Sequence, residues 1–209
     1  MLVEQSVLDF LSEVDSNSAA PGGGSVSSLV GAMGVALARM YGYLSIGKKK
    51  YMALDDSVQK EFEACFEQLT YYKDALSDGV DLDCAAYQKV MEAYRLPKET
   101  EEEIVSRKCA IDTAMEAAIL SPYRMMENAL TAMKLCLKLL PYGNKNALSD
   151  MGCAILCLDM AIHGAYLNVR INLSSDAQIE AWLAKIDAMV CESEEIKNKV
   201  FNEIKEQLL

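Results

Sequence analysis

The chain is short of several residue types that mark common chemistries. It has one histidine, His163, in 209 residues. Any His-based triad or His-rich metal site would have to use that single side chain. Prolines number four, and no long Val/Ile/Thr alternation is present, which argues against a large sheet. Aromatics are 7%, with one Trp. Positive charge is in the minority: 20 Lys and Arg face 31 Asp and Glu, a formal charge of −11. That balance opposes nonspecific nucleic-acid binding, which depends on neutralising phosphates. There is no CxxC pair among the seven cysteines (65, 84, 109, 136, 153, 157 and 191). Cys153 and Cys157 are one helical turn apart, but no nearby Cys/His pair completes a zinc set, so no metal is expected. An odd count in apolar surroundings reads as reduced thiols in a cytoplasmic protein. The start, MLVEQSVLDFLSEV, lacks the basic opening and apolar core of a signal peptide. The apolar run Val26–Ala38 is too short to span a bilayer, and Arg39 ends it, so no membrane partner is expected.

What remains is 52% hydrophobic and rich in Ala, Leu and Met. That mixture favours helix and a substantial core. One domain, 1–209, is the default at this length. The organising stretch is Ala20–Tyr51, APGGGSVSSLVGAMGVALARMYGYLSIGKKKY. Pro21 disfavours helix before it, Gly22, Gly23 and Gly24 open the backbone, and Ser25 is a good N-cap for the apolar segment beyond it. A glycine turn entering a helix N-terminus can hold an anion on its free N–H groups. The pattern is not GxxxxGK[ST] and no strand precedes it, which excludes a nucleotide P-loop. Gly31, Ala32, Gly34, Ala36, Ala38 and Gly42 then line a helix. Each glycine costs about 1 kcal/mol there relative to Ala, so something must approach its backbone closely, and another helix is the plainest candidate.

The remaining spacing is helical throughout. Helices are predicted over Leu2–Val14, from about Leu54 or Asp55 to Leu76, over Asp81–Tyr94 after a bend at Gly79, and over Glu101–Leu120. Thr100 and Glu103 form a capping-box pattern. Pro122 should interrupt the next segment, Tyr123–Leu140. The loop PYGNKN comes after Leu140, Ser149 or Asp150 caps a helix to about Asn168, and a last helix runs from about Asp176 to Leu208. The expected architecture is an all-α bundle of six to eight helices around the small-residue helix.

Each candidate functional residue has a plain reading beside a chemical one. His163 is either a packed or solvated helix residue or a general base. Asp83, in DCAAY, is either an exposed helix Asp or a partly buried acid. Lys48, Lys49 and Lys50 are either a solvated run or donors to an anionic ligand. Lys98 and Arg107 add charge, or pair with Glu101–Glu103 on the helix surface. Asn144, Asn146 and Asp150 fit turn and cap chemistry or hydrogen bonding to a ligand, and Asn168 and Asn172 carry the same alternatives.

PGGGSVSSLVGAMG followed by IGKKKY resembles the cyclodeaminase domain family of formiminotransferase-cyclodeaminase, which includes stand-alone methenyltetrahydrofolate cyclohydrolases. DCAAYQKVMEAYRLPK, Arg107 with its helix, and GNKNALSD fall in the expected order, so the likeness covers most of the chain. The resemblance implies a helical homodimer that takes a tetrahydrofolate derivative as substrate and holds no tightly bound cofactor. It implies Asp83 as the acid/base or cation-stabilising residue, with His163 a weaker candidate for proton transfer. Gly22–Gly24, Ser25, Lys48–Lys50, Arg107, Asn144, Asn146 and Asp150 are the implied substrate-binding set, the lysines suiting the carboxylates of the folate tail. Two reactions fit: hydrolysis of 5,10-methenyltetrahydrofolate to 10-formyltetrahydrofolate, or release of ammonia from 5-formiminotetrahydrofolate. A non-catalytic helical dimer on the same scaffold is the third reading.

Overall fold

A computed structural model describes residues 1–173 and 179–208. Among them are seven α-helices, α1 (Val7–Val14), α2 (Gly23–Ser45), α3 (Lys49–Met52), α4 (Asp56–Arg95), α5 (Glu101–Leu139), α6 (Leu148–Asn172) and α7 (Ile179–Leu208), of which α2, α4, α5, α6 and α7 pack as one bundle. Short 3-10 turns occupy Leu2–Glu4, Leu140–Tyr142 and Lys145–Ala147. The N-terminal helix is therefore shorter than its apolar spacing suggests. Ser6 accepts from the Asp9 N–H and starts the helix there instead of at Leu2.

α2 packs antiparallel between α4 and α6. Ser25 and Ser28 reach Val80 and Leu76 at one end, and Arg39 reaches Phe66 and Thr70 at the other. The expected close approach is to α6: a Cβ on Gly34 would sit 2.9 Å from both the Ala154 carbonyl and Cys157 Cβ. α6 is the one described helix long and apolar enough to cross a bilayer, yet Ile155, Leu158, Ile162, Ala165 and Val169 are fully buried in the protein's own core. α5 and α7 close the other side, where Tyr123 meets Trp182 edge-on at 5.1 Å.

Two expected interruptions are absent. α4 runs unbroken through Gly79, because the missing side chain there admits the Ser28 hydroxyl of α2, which donates to Leu76 O at 2.6 Å. α5 runs unbroken through Pro122. Proline removes the N–H that would have bonded the carbonyl four residues earlier. That carbonyl, Ala118 O, instead accepts from Asn172 Nδ2 of α6 at 2.8 Å, so no buried acceptor is stranded. α6 itself begins at Leu148 after Ala147, with Ser149 and Asp150 inside the first turn, and it extends to Asn172. The expected start of the last helix at Asp176 lies outside the described residues. The capping box at Thr100 and Glu103 is present as read, with Thr100 Oγ accepting from Glu103 N and Glu103 accepting from Thr100 N.

Candidate functional site

The glycine turn enters α2 at Gly22, an N-cap without a side chain, and Ser25 is the third helical residue. The cap expected from Ser25 comes from elsewhere. Asp83 of α4 presses its carboxyl against Gly24, where a Cβ would collide with all three carboxyl atoms. It accepts from the Ser25 hydroxyl, whose Oγ lies 3.0 Å from Asp83 Oδ2. The anion that the turn was predicted to hold is thus the protein's own carboxylate, brought in across the α2–α4 contact. The physical demand for glycine at 24 is steric room for that carboxyl.

Burial pushes the Asp83 carboxyl above its ordinary value, and Ser25 pulls it back down without cancelling the rise. The Ser25 side chain is fully buried, with Val80 O at 3.0 Å and Cys84 Sγ at 3.3 Å as further neighbours. Gly23 is exposed beside them, and the Asn168 amide of α6 stands 3.7 Å from where its Cβ would be. Asn168 Nδ2 donates to Gly164 O at 2.8 Å. Asp83, Gly22–Gly24, Ser25 and Asn168 therefore form one partly open cluster. Its chemistry is that of a proton acceptor and donor of adjustable strength, lodged at a helix N-terminus.

The other sequence-predicted residues lie elsewhere in the chain. The lysine run sits beyond the far end of α2, about 33 Å from its first turn at about 1.5 Å per residue. Lys50 Nζ donates to the carbonyls of Pro141 (2.9 Å) and Gly143 (3.3 Å), so it fastens a loop. Asn144 Nδ2 donates to Leu44 O at 3.1 Å and Asn144 Oδ1 accepts from Asn146 N at 3.0 Å. Asn144 thus does turn and cap work, closing the C-terminal end of α2, and Asn146 takes part through its backbone N–H. Lys48, Lys50, Lys145 and Asn144 border a hollow of about 190 Å³ there, a cationic pocket in an acidic protein. Asp150 is in the first turn of α6 near this end, where its charge suits the helix dipole.

Arg107 stands at a third place. Its guanidinium donates to Tyr94 O at 3.1 Å at the C-terminal end of α4 and lies over the Tyr94 ring at 5.8 Å, beside Lys98 and Lys108. His163 faces α7: its Nε2 is 3.7 Å from Asp159 Oδ1 and 4.0 Å from Glu194 Oε1, next to the Lys197–Asp159 pair at 2.6 Å. It therefore stands on the α7 side of α6, whereas its neighbour Gly164 packs on Ser27 of α2. Asn172 holds Ala118 O and is structural.

Sequence reasoning missed two features. One is the pairing of Ser25 with the Val80 carbonyl and Asp83, which no local spacing encodes. The other is a hollow of about 660 Å³ between α4 and α5, lined by Tyr71, Asp78, Lys89, Arg124 and Asn128. It is bordered by Ser28 of α2 and by Gly79, Leu82, Ala85 and Ala86 of α4, so it reaches the α2–α4 contact one turn from the Ser25–Asp83 pair, although Asp83 itself does not line it. Its only sequence signal is the row of small α4 residues Ala75, Gly79 and Ala86. Among the described residues no three His, Cys, Asp or Glu side chains stand close enough to share a metal ion.

Comparison with known proteins bears on this arrangement. The sequence model described as Formiminotransferase-cyclodeaminase matches residues 6–190. A formimidoyltransferase-cyclodeaminase of Mus musculus is 38% identical over 178 residues, 81% of this chain and 32% of that protein. This chain thus spans about a third of that relative's length. A methenyltetrahydrofolate cyclohydrolase of Methylorubrum extorquens is 29% identical over 211 residues, 100% of both chains. The crystal structure of a formiminotetrahydrofolate cyclodeaminase from Thermotoga maritima superposes with a TM-score of 0.78 at 28% identity, over 100% of this chain and 98% of that one. The family model, the relatives and the shared helical fold agree with the resemblance read from the glycine turn, the DCAAY helix and the GNKN loop, and this chain belongs to the formiminotransferase-cyclodeaminase family.

Proposed function

We propose that this protein is a folate one-carbon enzyme that hydrolyses 5,10-methenyltetrahydrofolate to 10-formyltetrahydrofolate. The observation that carries the reading is the Asp83 carboxyl, half-buried at the N-terminus of α2 and supported by Ser25. The substrate bears a delocalised cation across N5, the bridging carbon and N10. A carboxylate beside it favours binding through charge. Water adds to the bridging carbon and gives up a proton. The C–N5 bond then breaks, and N5 takes a proton as the formyl group stays on N10. The protein must orient the ring and move protons, without a covalent intermediate. In this reading Asp83 carries both proton steps. The similarity to a cyclohydrolase over the full length of both chains supports this reaction. The fold shared with a cyclodeaminase supports the second reading, in which N10 attacks the formimino carbon and ammonia leaves.

The reading includes a homodimer. One stripe of the α2–α6 pair is bare and apolar: Met33, Met40 and Leu44 on α2, Leu156, Leu167 and Ile171 on α6. An antiparallel pairing of α2 with its copy across this stripe brings the lysine end of one subunit over the glycine end of the other. That arrangement reunites Lys48 and Lys49 with Asp83, which one subunit keeps apart. It predicts complementation: with polyglutamylated substrate too dilute to occupy the lysine variant, a mixture of Asp83→Asn and Lys48→Ala/Lys49→Ala proteins recovers about a quarter of the wild-type rate by statistical exchange.

The test is incubation of purified protein with methenyltetrahydrofolate while its near-ultraviolet absorbance is followed. Acceleration over buffer supports the cyclohydrolase, and Asp83→Asn should lower kcat by about 100-fold or more. Ammonia release from the formimino substrate, without that acceleration, selects the deaminase. Inactivity on both substrates rejects the enzyme reading in favour of the scaffold.

A further inference from the structure

We propose that Ser25 is a positioning residue that lets the Asp83 carboxyl work in both protonation states without any heavy atom moving. The inference rests on the folate reading for its catalytic meaning, but its geometry stands alone. The Ser25 hydroxyl has a single proton and two oxygen acceptors at the same distance, Asp83 Oδ2 and Val80 O, both 3.0 Å away. When Asp83 is ionised, Ser25 donates to it. When Asp83 carries a proton, the carboxyl donates to Ser25 Oγ and the serine proton turns onto Val80 O, whose second lone pair is available inside α4. Each state is then fully hydrogen-bonded. The change between them is one rotation about the serine C–O bond.

A reaction in which one carboxyl takes a proton from water and returns one to N5 needs this symmetry. A site built for the carboxylate alone would leave a buried acid without an acceptor, and the converse site would leave a buried charge without a donor. The groups around Asp83 do not perform this service themselves. On α4, Cys84 offers a weakly polar thiol 3.3 Å from Ser25 Oγ, and Asp81 is held by the N–H groups of Leu2 and Val3 from the N-terminal turn. On α6 the Asn168 amide lies beyond Gly23 and is committed to Gly164 O. Glu13 of α1 bears on Cys84 and not on the carboxyl. No Lys or Arg forms an ion pair with Asp83 among the described residues.

The experiment follows the Asp83 carboxyl by carbon-13 NMR across pH, its resonance assigned by its loss in Asp83→Asn. Wild type is compared with Ser25→Ala and with Ser28→Ala, which removes another buried hydroxyl one turn along, bonded to Leu76 O and not to Asp83. Ser25→Ala should bind the Asp83 proton about tenfold more tightly, moving the midpoint up by about one pH unit, because the carboxylate loses a charge-assisted donor worth about twice the neutral bond to Ser25 Oγ that the acid loses. Ser28→Ala should leave the midpoint in place. The acid limb of the kcat/KM profile should move with the NMR midpoint. An unmoved midpoint in Ser25→Ala overturns the proposal, as does an equal shift in Ser28→Ala. Should Ser25→Ala fail to fold, Ser25→Cys, of similar size and weaker as a donor, must raise the midpoint, and no rise overturns the proposal. Absence of turnover by the wild type would sink the folate reading, while the NMR titration would still decide the role of Ser25.

Discussion

Two neighbouring glycines give opposite expectations for the same substitution. Gly23 and Gly24 are both helical, and among the described residues only Gly47 has a positive φ, so neither needs glycine for its backbone angles. Alanine should add about 0.5–1 kcal/mol of stability at either position by restricting the unfolded chain. At Gly23 nothing opposes this gain, since the nearest atom to a new Cβ is Asn168 Nδ2 at 3.7 Å, an ordinary contact. At Gly24 the Cβ runs into the Asp83 carboxyl, which can turn away only by giving up its bond to the Ser25 hydroxyl. Forcing an extra carbon into such a contact costs about 1–3 kcal/mol. The propensity gain is common to both variants and cancels between them, so Gly24→Ala should be less stable than Gly23→Ala by about 1–3 kcal/mol. For a chain of this size that is a difference in Tm of about 2–4 °C per kcal/mol. Displacing the carboxyl by about 1 Å should also lower kcat by about 100-fold in Gly24→Ala, whereas Gly23→Ala, which leaves the carboxyl in place, should act on KM and not on kcat. Urea unfolding followed by circular dichroism, together with the methenyltetrahydrofolate assay, measures both effects. Equal stability and equal turnover in the two variants would refute the claim that the turn exists to seat Asp83.

Asn172→Ala should cost about 1–3 kcal/mol, because it strands the Ala118 carbonyl that Pro122 leaves free, and an unchanged urea midpoint would show that another group satisfies it. Lys50→Ala should lower stability by about 1 kcal/mol through loss of its two loop carbonyl bonds, whereas Lys48→Ala and Lys49→Ala should leave unfolding unchanged and weaken binding of polyglutamylated folate. If Lys50→Ala unfolds like wild type, the loop is fastened by other contacts. The raised Asp83 value means the folded state holds more protons than the unfolded one between the ordinary aspartate range near about pH 4 and the folded value. Wild type should therefore lose stability relative to Asp83→Asn as pH rises through that window, and the opposite slope would contradict the assigned direction.

Much of the helical plan was legible because its signals are local. The capping box at Thr100, the break at Leu96–Pro97 and the apolar stripe of α4 are set by residues within a turn or two of one another. The two predicted interruptions failed for one shared reason. Gly79 and Pro122 do weaken a lone helix, but here a neighbouring helix uses the defect, Ser28 filling the space at one and Asn172 taking the carbonyl at the other. The Ser25 cap failed in the same way: a serine after three glycines is a good cap in isolation, and the fold gave the task to Asp83, 58 residues away in sequence.

Residue order alone dictated that the chain is helical and that α2 must be crossed closely, and it marked the glycine turn as able to hold an anion. Those are consequences of side-chain size, spacing and free N–H groups, all readable from neighbours along the chain. Packing in three dimensions chose which anion that is, and it parted the lysine run from Asp83 by the length of α2. The reason is register: the antiparallel packing of α2 on α4 selects which residue of the second helix meets the first turn of the first, and sequence order carries no record of that choice.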